Sequence, residues 1–298
     1  MIKKIAFLSN HISGYVKLSE LLKNNIKPNL ITIKKKNNIS GQISFEKIIN
    51  KKKIYKAKSF KLDSIEDITY LKRMKFDILL ISGWQRIIPN NVLKLFKYGA
   101  IAEHGSYDYL PFGKGRSPAG WTLRKGKKFF ILHIFKATRA VDEGNIIDYK
   151  IIKINEYDNI TTLYYKIGIV SANLTIKNLK SLIKQKYDKK VPLRKEFFFR
   201  KIHYKDDYIN WKNTTFKIYN LIRACRKPYP MAKSKLGNKI FYINEAYPFD
   251  NFIDKKIKAG TITNIFPDQS LLVKTMDGRI LIKEYLCEKK IREGLILK

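Results

Sequence analysis

The stretch FDILLISG, residues 76–83, is continuously apolar and is bounded by turn-forming residues. Such a run is typical of a parallel strand that is buried on both faces of a sheet. Three further apolar runs have β character: KKIAFLS (3–9), NLITI (29–33) and AIAEH (100–104). Helical patterns at 15–23 and 89–96 separate these strands. The alternation predicts an α/β domain with a Rossmann-like, mostly parallel sheet that binds ligands at the carboxyl ends of its strands.

The connection between 34 and 61 is rich in lysine, and its pattern predicts a helix around 45–50. A long helical pattern at 160–183 precedes a charged, irregular segment at 187–207, which is typical of a linker. We therefore expect a first domain over 1–186 and a linker over 187–207.

The segment after the linker has a different character. INWKNTTFKIYNLIRAC predicts a helix that is capped by Asn213 or Thr214. Short strands then alternate with turns at GNK (237–239), PDQ (267–269) and MDGR (276–279). This pattern predicts a small C-terminal β-barrel domain, OB-like in kind, over 208–298.

The charge of the chain is strongly positive. Its 298 residues contain 61 Lys and Arg against 25 Asp and Glu, which gives a formal net charge of +36. Such a field attracts nucleic acid, anionic membrane surfaces and nucleotide-linked substrates. The excess is mostly lysine, spread along the chain and accompanied by many Ile and Asn residues, which a biased codon composition also explains. Charge alone therefore leaves both interpretations open.

Cysteine content and hydropathy indicate the compartment. Two cysteines, Cys225 and Cys287, give no disulfide framework, and the first residues lack the apolar run of a signal peptide. No apolar stretch approaches the roughly 18 residues that span a bilayer. We expect a cytoplasmic protein that does not associate with membranes.

A histidine and an aspartate carry the expected chemistry. His104 leaves an apolar strand and enters the Gly/Pro-rich loop of HGSYDYLPFGKGRSPAGW (104–121), and Asp142 follows in the acidic turn AVDEGNIID (140–148). A histidine can stabilise a developing oxyanion, and a carboxylate can accept a proton from an attacking amine. The two residues together indicate an acyl-transfer enzyme. Asp142 in Asp-Glu-Gly also suits a tight turn with no chemical role.

Three segments resemble the folate-dependent formyltransferase family. They are LLISGWQRIIP (79–89), HGSYDYLPFGKGRSPAGW (104–121) and VDEGNII (141–147). The C-terminal helix and the stretch GTITNIFPDQSLLVKTMDGRILI (260–282) are similar to the family's β-barrel appendage. The resemblance covers nearly the whole chain, in the family's order and spacing. It implies formyl transfer from the co-substrate 10-formyltetrahydrofolate to an amine, by a catalytic domain at 1–186.

The resemblance also implies roles for particular residues, and no metal. His104 and Asp142 would be catalytic. The folate would contact Trp84, Gln85, Arg86, Ile87, Val141 and Asp142. The acceptor would contact Ser106, Tyr107, Lys114 and Arg116. For several of these a plain structural role is the alternative: Trp84 to Arg86 can simply begin a loop, and Arg116 can remain solvated.

One position departs from the family pattern. The family has an asparagine two residues before the histidine, as a second oxyanion donor, and this chain has Ala102. Loss of one such donor costs about 2.7–4 kcal/mol of transition-state stabilisation. Because strand side chains alternate, we expect Glu103 to face away from the site. Ser106 or a backbone N–H of the following loop is the expected replacement donor.

The acceptor amine is predicted from the residues of the motif after His104. HGSxxxLP followed by GRSPxxW is closer to the sugar-nucleotide branch of the family, which favours a nucleotide-linked amino sugar. The alternative is a methionyl-tRNA formyltransferase, for which the basic segment 34–61 would contact tRNA, although that branch's Gly-Arg-Gly-Lys-Lys run is absent. A third reading is a catalytically impaired protein that binds folate or a polyanion. A homodimer is compatible with the sequence.

Overall fold

The computed structural model describes residues 4–34, 40–184, 187, 189–227 and 229–298. The regular elements of the first two hundred residues are β1 (Ile5–Leu8), α1 (Ile12–Lys23), β2 (Asn29–Ile33), β3 (Ile54–Ala57), α2 (Ile65–Met74), β4 (Ile78–Ile81), α3 (Asn90–Leu93), β5 (Ala100–Ser106), β6 (Phe112–Gly115), α4 (Pro118–Arg124), β7 (Phe129–Lys136), β8 (Ile146–Lys153), α5 (Ile160–Lys184) and β9 (Phe197–Phe199). After them come α6 (Thr215–Ala224), β10 (Ala232–Leu236), β11 (Lys239–Asp250), β12 (Ile262–Ile265), β13 (Leu271–Lys274) and β14 (Arg279–Leu286).

A seven-stranded sheet has the order β3-β2-β1-β4-β5-β7-β8. The strands from β3 to β5 are parallel, whereas β7 and β8 join antiparallel to β5. Because β1, β4 and β5 are parallel, their carboxyl ends lie at one edge of the sheet. The strand order changes direction between β1 and β4, and open α/β sheets bind ligands beside such a point. The predicted mostly parallel α/β sheet, with a separate antiparallel C-terminal sheet, is confirmed.

Buried side chains fill both faces of this sheet. One face packs against α2 and α3 through apolar residues that include Leu8, Leu79 and Ala100. On the other face α1 and α5 approach closely, since a Cβ on Gly168 would lie 2.6 Å from the carbonyl oxygen of Ser13. This close approach requires glycine at that point of α5.

One segment differs from the sequence-based prediction. The predicted helix at 45–50 is a single turn, closed by Ile49 N–H donating to the Phe45 carbonyl (3.3 Å). Asn50 then caps a 3₁₀ turn at Lys51–Lys53, and the chain enters β3. Phe45 and Ile49 are spaced as in a helix because both are buried, but the helical turn does not continue past Asn50, whose side chain caps the next turn instead. The segment 187–207 contains β9 and a 3₁₀ turn at Tyr204–Asp207.

The C-terminal sheet has the order β10-β11-β14-β13-β12 and is antiparallel throughout. Residues 295–298 hydrogen-bond to both of its edges: Lys298 exchanges two backbone bonds with Lys235, and Leu297 N–H donates to the Gly260 carbonyl at 2.9 Å. The segment thereby joins β10 to the residues that lead into β12 and closes the sheet as a barrel does. Thr214 caps α6, and turns lie at the three predicted positions.

The chain packs into two compact units that alternate along the sequence. The first takes residues 1–118, 129–153 and 163–199, and the second takes 119–128, 154–162 and 200–298. The second unit has its own core, which includes Trp211, Phe241 and Ile282. The domain bounds expected from sequence, 1–186 and 208–298, stay a prediction.

Candidate active site

His104 lies in β5, the last of the parallel strands, which pairs antiparallel with β7. β5 pairs with β4 on one side and with β7 on the other, opposite His133. The His104 side chain is 9% exposed. Its Nδ1 lies 3.3 Å from Asp142 Oδ1, and its Nε2 lies 2.8 Å from the Gly113 carbonyl oxygen. The structure therefore brings together the two residues that were predicted from the sequence to form the site.

Asp142 lies in the turn between β7 and β8, and its backbone has a left-handed φ of 50°. The Gly115 N–H donates to Asp142 Oδ2 at 2.9 Å, so the two carboxylate oxygens have different partners. Gly144 has a φ of 134°, and a Cβ there would lie 1.8 Å from the Lys136 carbonyl oxygen. Only glycine fits at 144, and the turn holds the carboxylate of Asp142 against the imidazole.

The two partners of the His104 ring are both acceptors, a carboxylate and a carbonyl. A neutral imidazole has one N–H and satisfies one of them, whereas an imidazolium donates to both at once. The imidazolium is also the form that can donate to a developing oxyanion.

The residue before the histidine is held in a buried ion pair on the opposite face of the strand. Glu103 Oε2 accepts from Lys17 Nζ at 2.9 Å and from the Ser171 hydroxyl, and Glu103 Oε1 accepts from the Ser82 hydroxyl at 2.6 Å. Lys17 on α1 and Glu103 are 1% and 5% exposed. As expected from alternation, Glu103 faces away from Ala102 and His104, and it ties the middle of the sheet to α1 and α5.

Residues 84–87 leave β4 at the same sheet edge. Leu80 pairs with Ile101, so the turn after β4 begins beside His104. Trp84 Nε1 donates to the Phe60 carbonyl at 2.8 Å, and the Arg86 guanidinium lies 5.7 Å from the Phe60 ring. Gln85 is partly buried, whereas Ile87 is 49% exposed. Val141 is partly buried beside Asp142.

The four residues expected to contact the acceptor have different surroundings. The buried Ser106 hydroxyl donates to carbonyl oxygens of its own loop, at Asp108 (2.8 Å) and Phe112 (3.2 Å). Burial raises the pKa of Tyr107, which packs between aromatic rings. Lys114 is buried between two carboxylates. Arg116 is exposed, and its backbone N–H donates to β9.

A second histidine lies beside the first. His133 on β7 is fully buried, and neither of its ring nitrogens has a side-chain hydrogen bond within the described part of the chain. Burial, together with a smaller effect of the neighbouring His104, lowers its pKa to about 4. Burial also lowers the pKa of His11, at the start of α1, to about 4. Both imidazoles are therefore neutral in the folded protein near neutral pH.

The two neutral histidines predict an acid-sensitive fold. In the unfolded chain these histidines bind protons near pH 6.5, whereas in the folded protein they bind them only near pH 4. Their contribution to the free energy of unfolding is therefore full above pH 6.5 and is lost as the pH falls from 6.5 to 4. Two such protons give a slope of about 2.7 kcal/mol per pH unit from these groups. Denaturant titrations from pH 7 to 4 measure it.

The matched variants are His133→Leu and, at an exposed histidine, His203→Gln. We expect H133L to lose about half of that slope, about 1.4 kcal/mol per pH unit, and H203Q to keep it. An H133L slope equal to that of the wild type would contradict the burial of a neutral imidazole at this position.

Several members of the site were not found from the sequence. Lys17 is one lysine among many on an amphipathic helix, and Glu143 and Glu196 join Lys114 from distant segments. His133 had a usable signal, because it is the single polar residue in the apolar run FFILHIF (129–135). Among the described residues, no cluster of three or more His, Cys, Asp or Glu side chains is arranged to hold a metal ion.

The described helices also bear on membrane association. None of them is both long enough and apolar enough to cross a bilayer.

The sequence matches two family profiles. "Formyl transferase" covers residues 3–179, and "Formyl transferase, C-terminal domain" covers residues 201–294. A bifunctional polymyxin resistance protein ArnA from Wigglesworthia glossinidia brevipalpis is 31% identical over 89% of this chain, but the match spans only 40% of that protein. A methionyl-tRNA formyltransferase from Prochlorococcus marinus (strain MIT 9215) is 27% identical over 80% of this chain and 76% of its own length.

A solved structure has a similar fold. It is an N-formyltransferase from Helicobacter canadensis in complex with folinic acid and dTDP-3-aminofucose. It covers 96% of this chain and 100% of its own, with a TM-score of 0.64 and 22% sequence identity. Over more than half of its length the sequence fits the first profile, and it carries the expected sheet, histidine and aspartate. The chain belongs to the formyl transferase family.

Proposed function

We propose that this formyltransferase transfers a formyl group from 10-formyltetrahydrofolate to the amino group of a nucleotide-linked amino sugar. The observation that carries the chemistry is the contact between the His104 imidazole and the Asp142 carboxylate at the carboxyl edge of the sheet. The folate would lie against Trp84, Gln85, Arg86, Ile87 and Val141, since these residues follow β4 or precede Asp142.

The reaction begins with attack of the neutral amine on the formyl carbon. A bond from the acceptor nitrogen to carbon forms while the carbonyl π pair moves onto oxygen. The Nε2–H of His104, which faces the Gly113 carbonyl, is the donor that turns to this oxyanion. Asp142 accepts the proton that the acceptor nitrogen loses, directly or through water.

Collapse of the intermediate completes the transfer. The oxygen lone pair re-forms the carbonyl, the bond from carbon to N10 of the folate breaks, and N10 takes a proton from the acid form of the pair. The products are tetrahydrofolate and the N-formylated amine, and Asp142 and His104 return to their starting charges. Because no other group need gain or lose a proton, one histidine and one carboxylate suffice.

The preference for a sugar nucleotide rests on the HGSxxxLP and GRSPxxW motifs and on the residues around them. The exposed Arg116 guanidinium is available to a phosphate, and Ser106 and Tyr107 build the loop beside it. The N-formyltransferase from Helicobacter canadensis, which was solved with dTDP-3-aminofucose, has this fold.

A second candidate is formylation of methionyl-tRNA. The Prochlorococcus relative is matched over 76% of its length, against 40% for ArnA, and the net charge of +36 suits a polyanion. Residues 35–39 of the basic segment 34–61, to which a tRNA contact was assigned, lie outside the described residues. Ala102, which stands where the family has its asparagine, motivates the third candidate, a binding protein of low activity.

The experiment incubates the purified chain with 10-formyltetrahydrofolate and, in parallel, with a panel of dTDP- and UDP-linked amino sugars or with methionyl initiator tRNA. We expect one or more sugar nucleotides to gain a formyl group, detected by mass spectrometry, with stoichiometric tetrahydrofolate. Formylation of the tRNA alone would replace the sugar proposal with the second candidate. Folate binding without turnover of either acceptor would favour the third.

A further inference from the structure

Three consecutive residues of β6 each contact the site through a different group. The Gly113 carbonyl faces His104 Nε2 at 2.8 Å, and the Gly115 N–H donates to Asp142 Oδ2 at 2.9 Å. Between them, Lys114 Nζ donates to Glu143 Oε1 at 2.6 Å. Since Glu143 is the residue after Asp142, a single short strand holds the imidazole, the carboxylate and the turn that carries it.

Lys114 reaches a second carboxylate as well. Its Nζ donates to Glu196 Oε1 at 2.6 Å, and Glu196 directly precedes β9, which pairs with β6. The Lys114 side chain is 3% exposed, whereas those of Glu143 and Glu196 are 49% and 52% exposed. Burial acts to lower the pKa of Lys114, but the hydrogen bonds and charges of the two carboxylates outweigh it and raise the pKa.

We propose that Lys114 is a positioning residue: its buried ammonium clamps the Asp142 turn to β6 and β9 and so holds the carboxylate against His104. The assignment rests on the proposed roles of His104 and Asp142. It differs from a direct contact with the acceptor, because the Lys114 side chain is buried and its ammonium already donates to two carboxylates.

The turn needs such a clamp because its backbone is strained. Asp142 is a non-glycine residue with a φ of 50°, and Gly144 has a φ of 134°. A left-handed backbone at a non-glycine residue persists only where its surroundings over-determine it. Here the Gly115 N–H and Lys114 supply two anchors, and Thr138 donates its hydroxyl to the Glu143 carbonyl at 3.4 Å.

The first test needs no substrate. Amide hydrogen–deuterium exchange is compared between the wild type and Lys114→Met, with Lys56→Met as an exposed-lysine control whose Glu46 partner is also solvent-accessible. We expect about tenfold faster exchange in K114M over 112–116 and 141–146, because the Gly115 N–H loses its ordered acceptor, and no change in K56M. Unchanged exchange of these two segments in a folded K114M would overturn the clamp.

The second test separates positioning from substrate contact. If Lys114 positions the turn, both K114M and Glu196→Gln lower kcat by about tenfold while KM for the acceptor stays near that of the wild type. If Lys114 instead touches the acceptor, K114M raises KM and E196Q leaves kcat unchanged, which overturns the proposal. A wild type without amine formylation would end the proposed function, and the exchange result would still decide the clamp. Since E196Q keeps the lysine and one carboxylate, it serves if K114M does not fold.

Discussion

Replacing His104 by glutamine is expected to lower kcat of formyl transfer by about 10²–10³. In the proposed mechanism the His104 imidazolium is the donor at the developing oxyanion. With Ala102 in the place of an asparagine, the chain has no side-chain amide two residues upstream to share that task. Glutamine keeps a donor N–H but has neither the charge nor the rigid ring. We therefore expect KM for both substrates to change little and the loss to appear in kcat.

The measurement is steady-state kinetics with the acceptor that the substrate panel identifies. His203→Gln is the matched control, because His203 is an exposed histidine in the second unit. Thermal unfolding of H104Q near the wild-type temperature would show that the loss is chemical. Activity of H104Q within a factor of three of the wild type would mean that His104 does not stabilise the transition state.

Replacing Lys17 by methionine is expected to destabilise the fold by about 3–5 kcal/mol. Methionine fills much of the same space, but Glu103 then remains buried with only the hydroxyls of Ser82 and Ser171 as donors. An uncompensated carboxylate in the interior is among the most costly defects that one substitution can produce. Chemical denaturation at pH 7 measures the difference in free energy of unfolding.

Lys23→Met on the same helix is the control, because Lys23 pairs with Glu20 at 2.6 Å and is 69% exposed. We expect K23M to change the free energy of unfolding by less than about 1 kcal/mol. Lys17→Met combined with Glu103→Gln removes the stranded charge, so part of the lost stability returns. Equal effects of K17M and K23M would show that the Lys17–Glu103 pair is not shielded from water.

The fold was predictable where burial on both faces left long apolar runs. β2 coincides with the predicted range, 29–33, and β4 lies inside FDILLISG. The helix expected at 45–50 shows the limit of this reasoning, since the spacing of Phe45 and Ile49 records their burial and not their backbone. Helical and non-helical segments can both place apolar side chains four residues apart.

The proximity of His104 and Asp142 was predictable from the sequence, but the residues that hold them in place were not. His104 and Asp142 were identifiable because His104 lies at the end of an apolar strand and Asp142 lies in an acidic turn before the next strand. Glu143 and Glu196 were not identifiable, since the sequence of a charged segment does not reveal whether one of its glutamates pairs with a buried lysine. Their role depends on which distant segments meet, and that information lies in the fold.

The alternation of the two units along the chain limits how pieces of this protein can be exchanged with relatives. The second unit takes residues 119–128 and 154–162 from between segments of the first unit. Within the second unit, Arg124 pairs with the buried Asp207 at 2.6 Å, and Arg223 donates to the Asn155 carbonyl at 2.9 Å. A chimera that joins residues 200–298 to a foreign N-terminal part would leave Asp207 with Lys233 at 3.6 Å but without Arg124, and would leave the Arg223 guanidinium without the Asn155 carbonyl. Transplanting the second unit of one relative into another therefore calls for three grafted segments, not one.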